Sequence, residues 1–203
     1  MAKKDWTSNN IACYANLGAS NHSMGDREER DFYATAPLAV KGLMELEKFD
    51  KNIWEPACGL NHITNILIEN GYNVRFSDIV DRSAEQNIEI YDFLSNKDIW
   101  EGDIITNPPY KYASEFVEKA LETVTEGHKV AMFLKLSFLE TKKRYELFQK
   151  YPIKKIYVAS NRLGCAKNGE FNGKDNIVSA VCYCWFIWEK GYTGQTTIDW
   201  FNF

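Results

Sequence analysis

The chain has 203 residues, 45% of them apolar and 26% charged, with a formal charge of −4. These values fit one globular domain with a sizeable core and exclude a fibrous or low-complexity chain. No apolar run reaches membrane-spanning length, and Met1-Ala-Lys-Lys-Asp-Trp lacks the hydrophobic segment of a secretion signal, so the cytoplasm is the expected compartment.

Five cysteines (Cys13, Cys58, Cys165, Cys182 and Cys184) are scattered without a C-x-x-C pair. Reduced thiols are expected, and no metal, because no second paired Cys/His cluster completes a zinc site. The acidic total hides an asymmetry. Between Lys135 and Lys174 there are 10 Lys/Arg against 3 Asp/Glu, a local excess that suits a phosphate-contacting face and equally a solvated helix.

In chain order, residues 1–30 are polar and glycine-containing, and read as a tail or a lid. Thr35 reads as an N-cap, with Pro37 in the first turn of a helix over Leu38–Lys48. Asn52–Trp54 is a short strand running into the loop Glu55–Gly59. A helix over His62–Glu69 closes at Asn70-Gly71, and Val74–Asp78 is the next strand. Ser83–Asn87 suits one helical turn, and Ile88–Tyr91 a short strand ending at Asp92-Phe93. Ile104–Thr106 is a strand that two prolines must end, since neither can donate to a ladder.

Ala113–Thr125 has a helical apolar stripe, and Lys129–Leu134 is a nearly continuous apolar strand of the kind covered on both faces. A basic helix over Leu139–Lys150 stops at Tyr151-Pro152. Ile153–Val158 is a strand, residues 161–175 a Gly/Asn-rich loop, and Ile177–Trp188 a long aromatic strand; the tail from Thr196 offers one edge strand. Strands alternating with helices predict a doubly wound, mainly parallel sheet. The last two long strands have no helix between them and must pair antiparallel.

Ligands of open α/β sheets bind beyond the carboxyl ends of the strands. Two loops there stand out, Glu55-Pro56-Ala57-Cys58-Gly59 and Asn107-Pro108-Pro109-Tyr110. The second presents an amide and a stackable ring on a stiff backbone. The first has neither G-x-G-x-x-G nor G-K-[S/T], so it is not built to cradle a pyrophosphate or triphosphate. Asp78, at a strand end, stands where an acid accepts both ribose hydroxyls, with a helix cap as the plainer alternative.

Asp31-Phe-Tyr-Ala-Thr35, Glu55-Pro-Ala-Cys-Gly59, Ser77-Asp78-Ile-Val, Asp92-Phe93-Leu and Asn107-Pro-Pro-Tyr110 together resemble S-adenosylmethionine-dependent N6-adenine methyltransferases, most nearly the small single-domain kind encoded by bacteriophages and prophages. The likeness extends to Gly18-Ala-Ser-Asn-His22 and to Trp185–Tyr192. It implies a class I Rossmann-like fold with a seven-stranded sheet and one antiparallel strand near an edge.

It further implies S-adenosyl-L-methionine as cofactor. Glu55, Pro56, Ala57 and Gly59 would wrap its methionine part, Tyr33 and Thr35 its amino-acid end, and Asp78 its ribose. Asp92 would accept from its adenine amine, with Ile79 and Phe93 flanking that ring. Asn107 and Pro108 would accept the two N–H groups of the target amine, Pro109 would stiffen the loop, and Tyr110 would stack on a base drawn out of its helix. The chain departs from many relatives at Asn61, where a second glycine is usual.

DNA is the implied partner, single-stranded or duplex, with no membrane and no metal, and the protein a monomer or homodimer. His22, Lys111, Lys142, Lys143, Arg144 and Arg162 are the candidate phosphate contacts, ordinary surface charge being the alternative. Adenine in RNA, a protein glutamine amide, and cofactor binding without catalysis are the competing readings. Only residues 1–30, the basic helix and the loop after residue 160 are available for target recognition, so modest sequence selectivity, or recognition shared across a dimer, is expected.

Overall fold

The computed structural model describes residues 33–82, 87–161, 163–167, 171 and 181–202. Its scaffold is an eight-stranded sheet laid down from the middle outwards. The strands are β2 (Asn52–Glu55), β3 (Asn73–Asp78), β4 (Glu89–Ile90), β5 (Asp103–Thr106), β6 (Lys129–Lys135), β7 (Lys155–Ala159), β9 (Tyr183–Glu189) and β10 (Thr197–Phe201), in the spatial order β10-β7-β9-β6-β5-β2-β3-β4. All neighbours are parallel except β9, which runs antiparallel to both β6 and β7. The tail supplies the strand beyond the expected seven, as β10 on the open edge of β7.

Period-two alternation splits the core between two faces. Ile104, Val130, Met132 and Leu134 pack with α3 (Ala113–Thr123) on one side. Ile105, Ala131 and Phe133 pack with α1 (Pro37–Leu46) and α2 (His62–Glu69) on the other. Helix α4 (Lys142–Lys150) has no buried residue and lies outermost on the α3 side. No described helix is long and apolar enough to cross a membrane.

Four expectations need correction. Thr35 does not cap α1: it ends a strand, β1 (Tyr33–Thr35), and the cap position is Ala36, which makes no side-chain cap. The loop after residue 160 contains β8 (Cys165–Lys167), which pairs antiparallel with β1 as a small second sheet. Three-residue strands carry no readable period, and these two find each other across more than a hundred residues. The basic helix begins at Lys142 rather than Leu139, because Leu136–Leu139 is a 3-10 turn and Thr141 has a φ of 90°. The helix after Asn107–Tyr110 ends at Thr123, where Val124 turns extended. Ser83–Gln86, Ile177–Ala180, the N-terminal arm, His22 and Arg162 lie outside the described residues.

The entry of β5 is fixed electrostatically. Asp103, 3% exposed, accepts the backbone N–H groups of Asp50 (2.6 Å) and Lys129 (2.7 Å), and its Oδ1 lies 3.2 Å from Nδ1 of His128. Replacing Asp103 by Ala leaves two partly buried backbone donors without their acceptor. Chemical denaturation of Asp103→Ala is expected to show a loss of roughly 3 kcal/mol, mostly from those orphaned amides.

Candidate active site

Strands β3, β2 and β5 are adjacent and parallel, so their carboxyl ends deliver Asp78, Glu55 and Asn107 to one edge of the sheet. The chain proceeds from β2 to β3 on one side and reaches β5 on the other. The switch point of this topology lies between β2 and β5, and in open sheets of this kind it is there, beyond the carboxyl ends of the strands, that ligands bind.

The first wall is the loop after β2. Gly59 (φ 56°) and Asn61 (φ 63°, ψ 24°) both adopt left-handed geometry. Asn tolerates that region better than most residues, so Asn61 can hold the left-handed geometry expected of a glycine there, and it leads into α2. Asp78 holds the loop down: its Oδ2 accepts from Gly59 N (2.9 Å) and its Oδ1 from Val80 N (3.1 Å), while Cys58 N donates to Ser77 O (3.0 Å). Each Asp78 oxygen keeps a second lone pair for another donor. Pro56 is buried and Ala57 half-buried against the core.

Glu55 is 1% exposed and accepts a short hydrogen bond from the Thr64 hydroxyl. Burial pushes its carboxyl well above the ordinary range, the nearby Asp78 charge adds to this, and the Thr64 hydrogen bonds oppose it. Among the described residues no cation pairs with it. Burial likewise drives the Cys58 thiol strongly upward, ahead of the Glu55 and Asp78 charges.

The second wall is Asn107–Tyr110, and here the small β1–β8 sheet takes part. Asn107 Nδ2 donates to the carbonyl of Tyr33 at 2.7 Å and points its other hydrogen at Cys165 Sγ, 3.7 Å away. A carbonyl can only accept, so the amide nitrogen must face Tyr33 and the oxygen must face away. That Oδ1 is buried and has no hydrogen-bond partner among the described residues; nor have the hydroxyls of Thr35 and Thr106.

The Tyr110 hydroxyl lies 3.2 Å from Cys165 Sγ, and its ring stacks on Tyr33 with centroids 5.7 Å apart. Burial raises the Cys165 thiol to about 12 and the Tyr110 phenol well above its usual value, so both stay protonated. Cys165 and Tyr183 escaped the sequence reading, since a cysteine in a glycine-rich loop and one tyrosine in an aromatic strand carry no signal of their own.

The remaining expected residues divide. Asp92 is exposed and caps the 3-10 turn Phe93–Ser95, accepting from Leu94 N (3.1 Å) and Ser95 Oγ (2.6 Å). Ile79 is 62% exposed at the crevice side of Asp78. Phe93 is turned into the core, edge-on to Trp54 (5.2 Å) and beside Phe116 (5.3 Å), so its ring supports the crevice floor rather than lining it.

Arg144 donates to the carbonyls of Ser137, Phe138 and Glu140 and covers the Phe138 ring, which makes it a local clamp. Lys143 pairs with Glu115 at 3.3 Å. Lys111, over Tyr112, and Lys142 are exposed. Among the described residues no cluster of His, Cys, Asp or Glu is arranged to hold a metal ion.

No family model matches the chain, and no curated protein matches its sequence. Solved structures do. A Listeria monocytogenes protein assigned as a class I S-adenosylmethionine-dependent methyltransferase aligns with a TM-score of 0.58 at 13% identity, over 94% of this chain and 71% of that one. A modification subunit assigned to a type I restriction enzyme of Vibrio vulnificus aligns at 0.56 and 12%, over 95% of this chain and 50% of that one. A protein assigned as an O-methyltransferase from Agrobacterium tumefaciens aligns at 0.55 and 12%, over 82% and 85%. The chain thus spans half the length of the restriction-system subunit. Its fold is the class I methyltransferase fold.

The buried Glu55 generates a pH dependence. In the unfolded chain it ionises near the ordinary value of about 4.3, whereas the folded state keeps the proton to higher pH. The folded state then binds more protons than the unfolded state, so this contribution is complete below that value and is lost as pH rises through the folded pKa. Glu55→Gln, which cannot ionise, is expected to flatten this decline; denaturation midpoints of both proteins across pH 4–8 check it, and parallel curves would refute it.

Proposed function

We propose that the protein transfers a methyl group from S-adenosyl-L-methionine to the exocyclic N6 amine of adenine in DNA. One observation carries the reading: Asn107 Oδ1 is buried, has no hydrogen-bond partner among the described residues and is aimed by the Tyr33 carbonyl, an acceptor with its orientation settled before any substrate arrives. A buried carbonyl left without a donor costs about 1–3 kcal/mol, which a substrate N–H can relieve.

The residues present fit the cofactor. Among the described residues the buried Glu55 has no cation beside it, which suits a ligand carrying positive charge, and the Thr35 hydroxyl has no hydrogen-bond partner. Glu55, Pro56, Ala57 and Gly59 would hold the methionine part, with Tyr33 and Thr35 at its amino-acid end. Asp78 has lone pairs for the ribose. The exposed carboxylate of Asp92 would receive the adenine amine beside Ile79, with Phe93 supporting from below. When bound, S-adenosyl-L-methionine supplies an electrophilic methyl on a sulfonium.

The rest is positioning. The N6 lone pair of adenine is delocalised into the ring and is a poor nucleophile. Asn107 Oδ1 and the Pro108 carbonyl each accept one N–H, which favours a pyramidal nitrogen whose lone pair is free for in-line attack. Preorganised dipoles suffice for this, without a strong base. Pro109 fixes the loop, and Tyr110 stacks on the extruded base. Lys111 and Lys142 offer phosphate contacts, Lys143 after release from Glu115, while Arg144 acts by holding the turn before α4. The likeness to a type I modification subunit supports DNA as the polymer.

The test offers labelled cofactor to duplex DNA, single-stranded DNA, RNA and protein in parallel. Label is expected on adenine N6 of DNA, and Asn107→Ala is expected to lose about 10²–10³ in rate, the usual effect of deleting one preorganised polar contact. Label on protein alone, or an Asn107→Ala enzyme as active as the parent, would overturn the assignment.

A further inference from the structure

The sequence places candidate phosphate contacts at Lys111 and in the basic helix; a further cation, Lys135, lies against the ring of Tyr110. Lys135 is the last residue of β6, opposite Tyr183 on β9. Ala131 and Phe133 point to the α1–α2 face, and period two sends Lys135 the same way, to the crevice end of that face. Its Nζ lies 5.0 Å from the Tyr110 ring centroid, and its charge reaches Cys165. It is partly buried, and among the described residues no carboxylate pairs with it. Lys143, Lys150 and Lys154, by contrast, each have a glutamate partner.

We infer that Lys135 is a substrate-positioning residue that binds the backbone phosphate of the target nucleotide, and so selects nucleic acid over a protein amide. This rests on the methyl-transfer reading above and deepens it. A partly desolvated ammonium with only a ring face for partner is incompletely compensated. An arriving phosphate gives it a charge-assisted hydrogen bond without breaking any ion pair. A base stacked on Tyr110 takes the ammonium's place against the ring, and the flexible stem of Lys135 reaches the phosphate on the attached sugar. A glutamine side chain in the same pocket is neutral and brings no such group. The helix lysines, of which Lys143 and Lys150 are paired with glutamates, then add general attraction while Lys135 acts at the reacting nucleotide.

The experiment compares the full-length parent with Lys135→Met and Lys135→Arg, using labelled cofactor and a short adenine-containing oligonucleotide between 50 and 200 mM salt. Lys135→Met is expected to bind the oligonucleotide roughly fivefold more weakly at low salt. Its slope of log affinity against log salt should be shallower by about 0.7 on single-stranded and 0.9 on duplex DNA. The loss should sit in KM rather than in the single-turnover rate at saturation, and Lys135→Arg should restore the parent slope. An unchanged slope in Lys135→Met, or a fall only in the saturated rate, overturns the Lys135 role while the parent's activity on DNA still stands. A parent that methylates a glutamine peptide and no oligonucleotide overturns both.

Discussion

A carbonyl oxygen cannot donate a hydrogen bond, and at Tyr33 that elementary fact decides the chemistry of the crevice. It compels the Asn107 amide to present its nitrogen to β1 and its oxygen to the opposite side, where the described residues offer no donor. The arrangement survives because several elements impose it together: β5 delivers the residue, the prolines remove alternative backbone conformations, and the β1–β8 pair brings the Tyr33 carbonyl and the Cys165 sulfur to the two amide hydrogens. An acceptor held in this way is unfavourable for folding and ready for a ligand, the usual balance at functional sites.

The opposite wall follows the same logic with charge in place of a neutral dipole. Glu55 is buried where water cannot stabilise its anion, which raises its pKa well above the ordinary carboxyl range, and the hydrogen bonds from Thr64 oppose that rise. Asp78, two strand positions away in the sheet, ties down the left-handed loop whose geometry Gly59 and Asn61 make possible. One carboxyl is thus made costly to ionise by its surroundings while the other organises backbone. The two loops follow the carboxyl ends of β2 and β5, one on each side of the switch point.

Basic residues illustrate how little composition says about availability. The local excess between Lys135 and Lys174 is real, but Arg144 is tied to three carbonyls and Lys143 and Lys150 to glutamates of α3. Lys135 is set apart by strand geometry: a β-strand covered on both faces has one solvent outlet, its end, and the residue there emerges beside whatever the neighbouring strand presents. On β5 that is the Asn107–Tyr110 loop.

Much of this was legible in the amino-acid order, because its signals are local. Apolar continuity marked β6, the proline pair marked the end of β5, and the missing helix before β9 required its antiparallel course. The ordered motifs, Glu55–Gly59, Asp78 and Asn107–Tyr110, fell at strand ends for the same reason. What the sequence could not supply is pairing at a distance. Thr35 carries the same residue preference whether it caps a helix or ends a strand, and only the meeting of β1 with β8 decides between them. Phe93 reads as a ring beside a ligand until the packing of Trp54 and Phe116 draws it inward. The direction of the Asn107 amide, and the freedom of the Lys135 ammonium, depend on partners tens of residues away, and such contacts exist only once the chain has closed on itself.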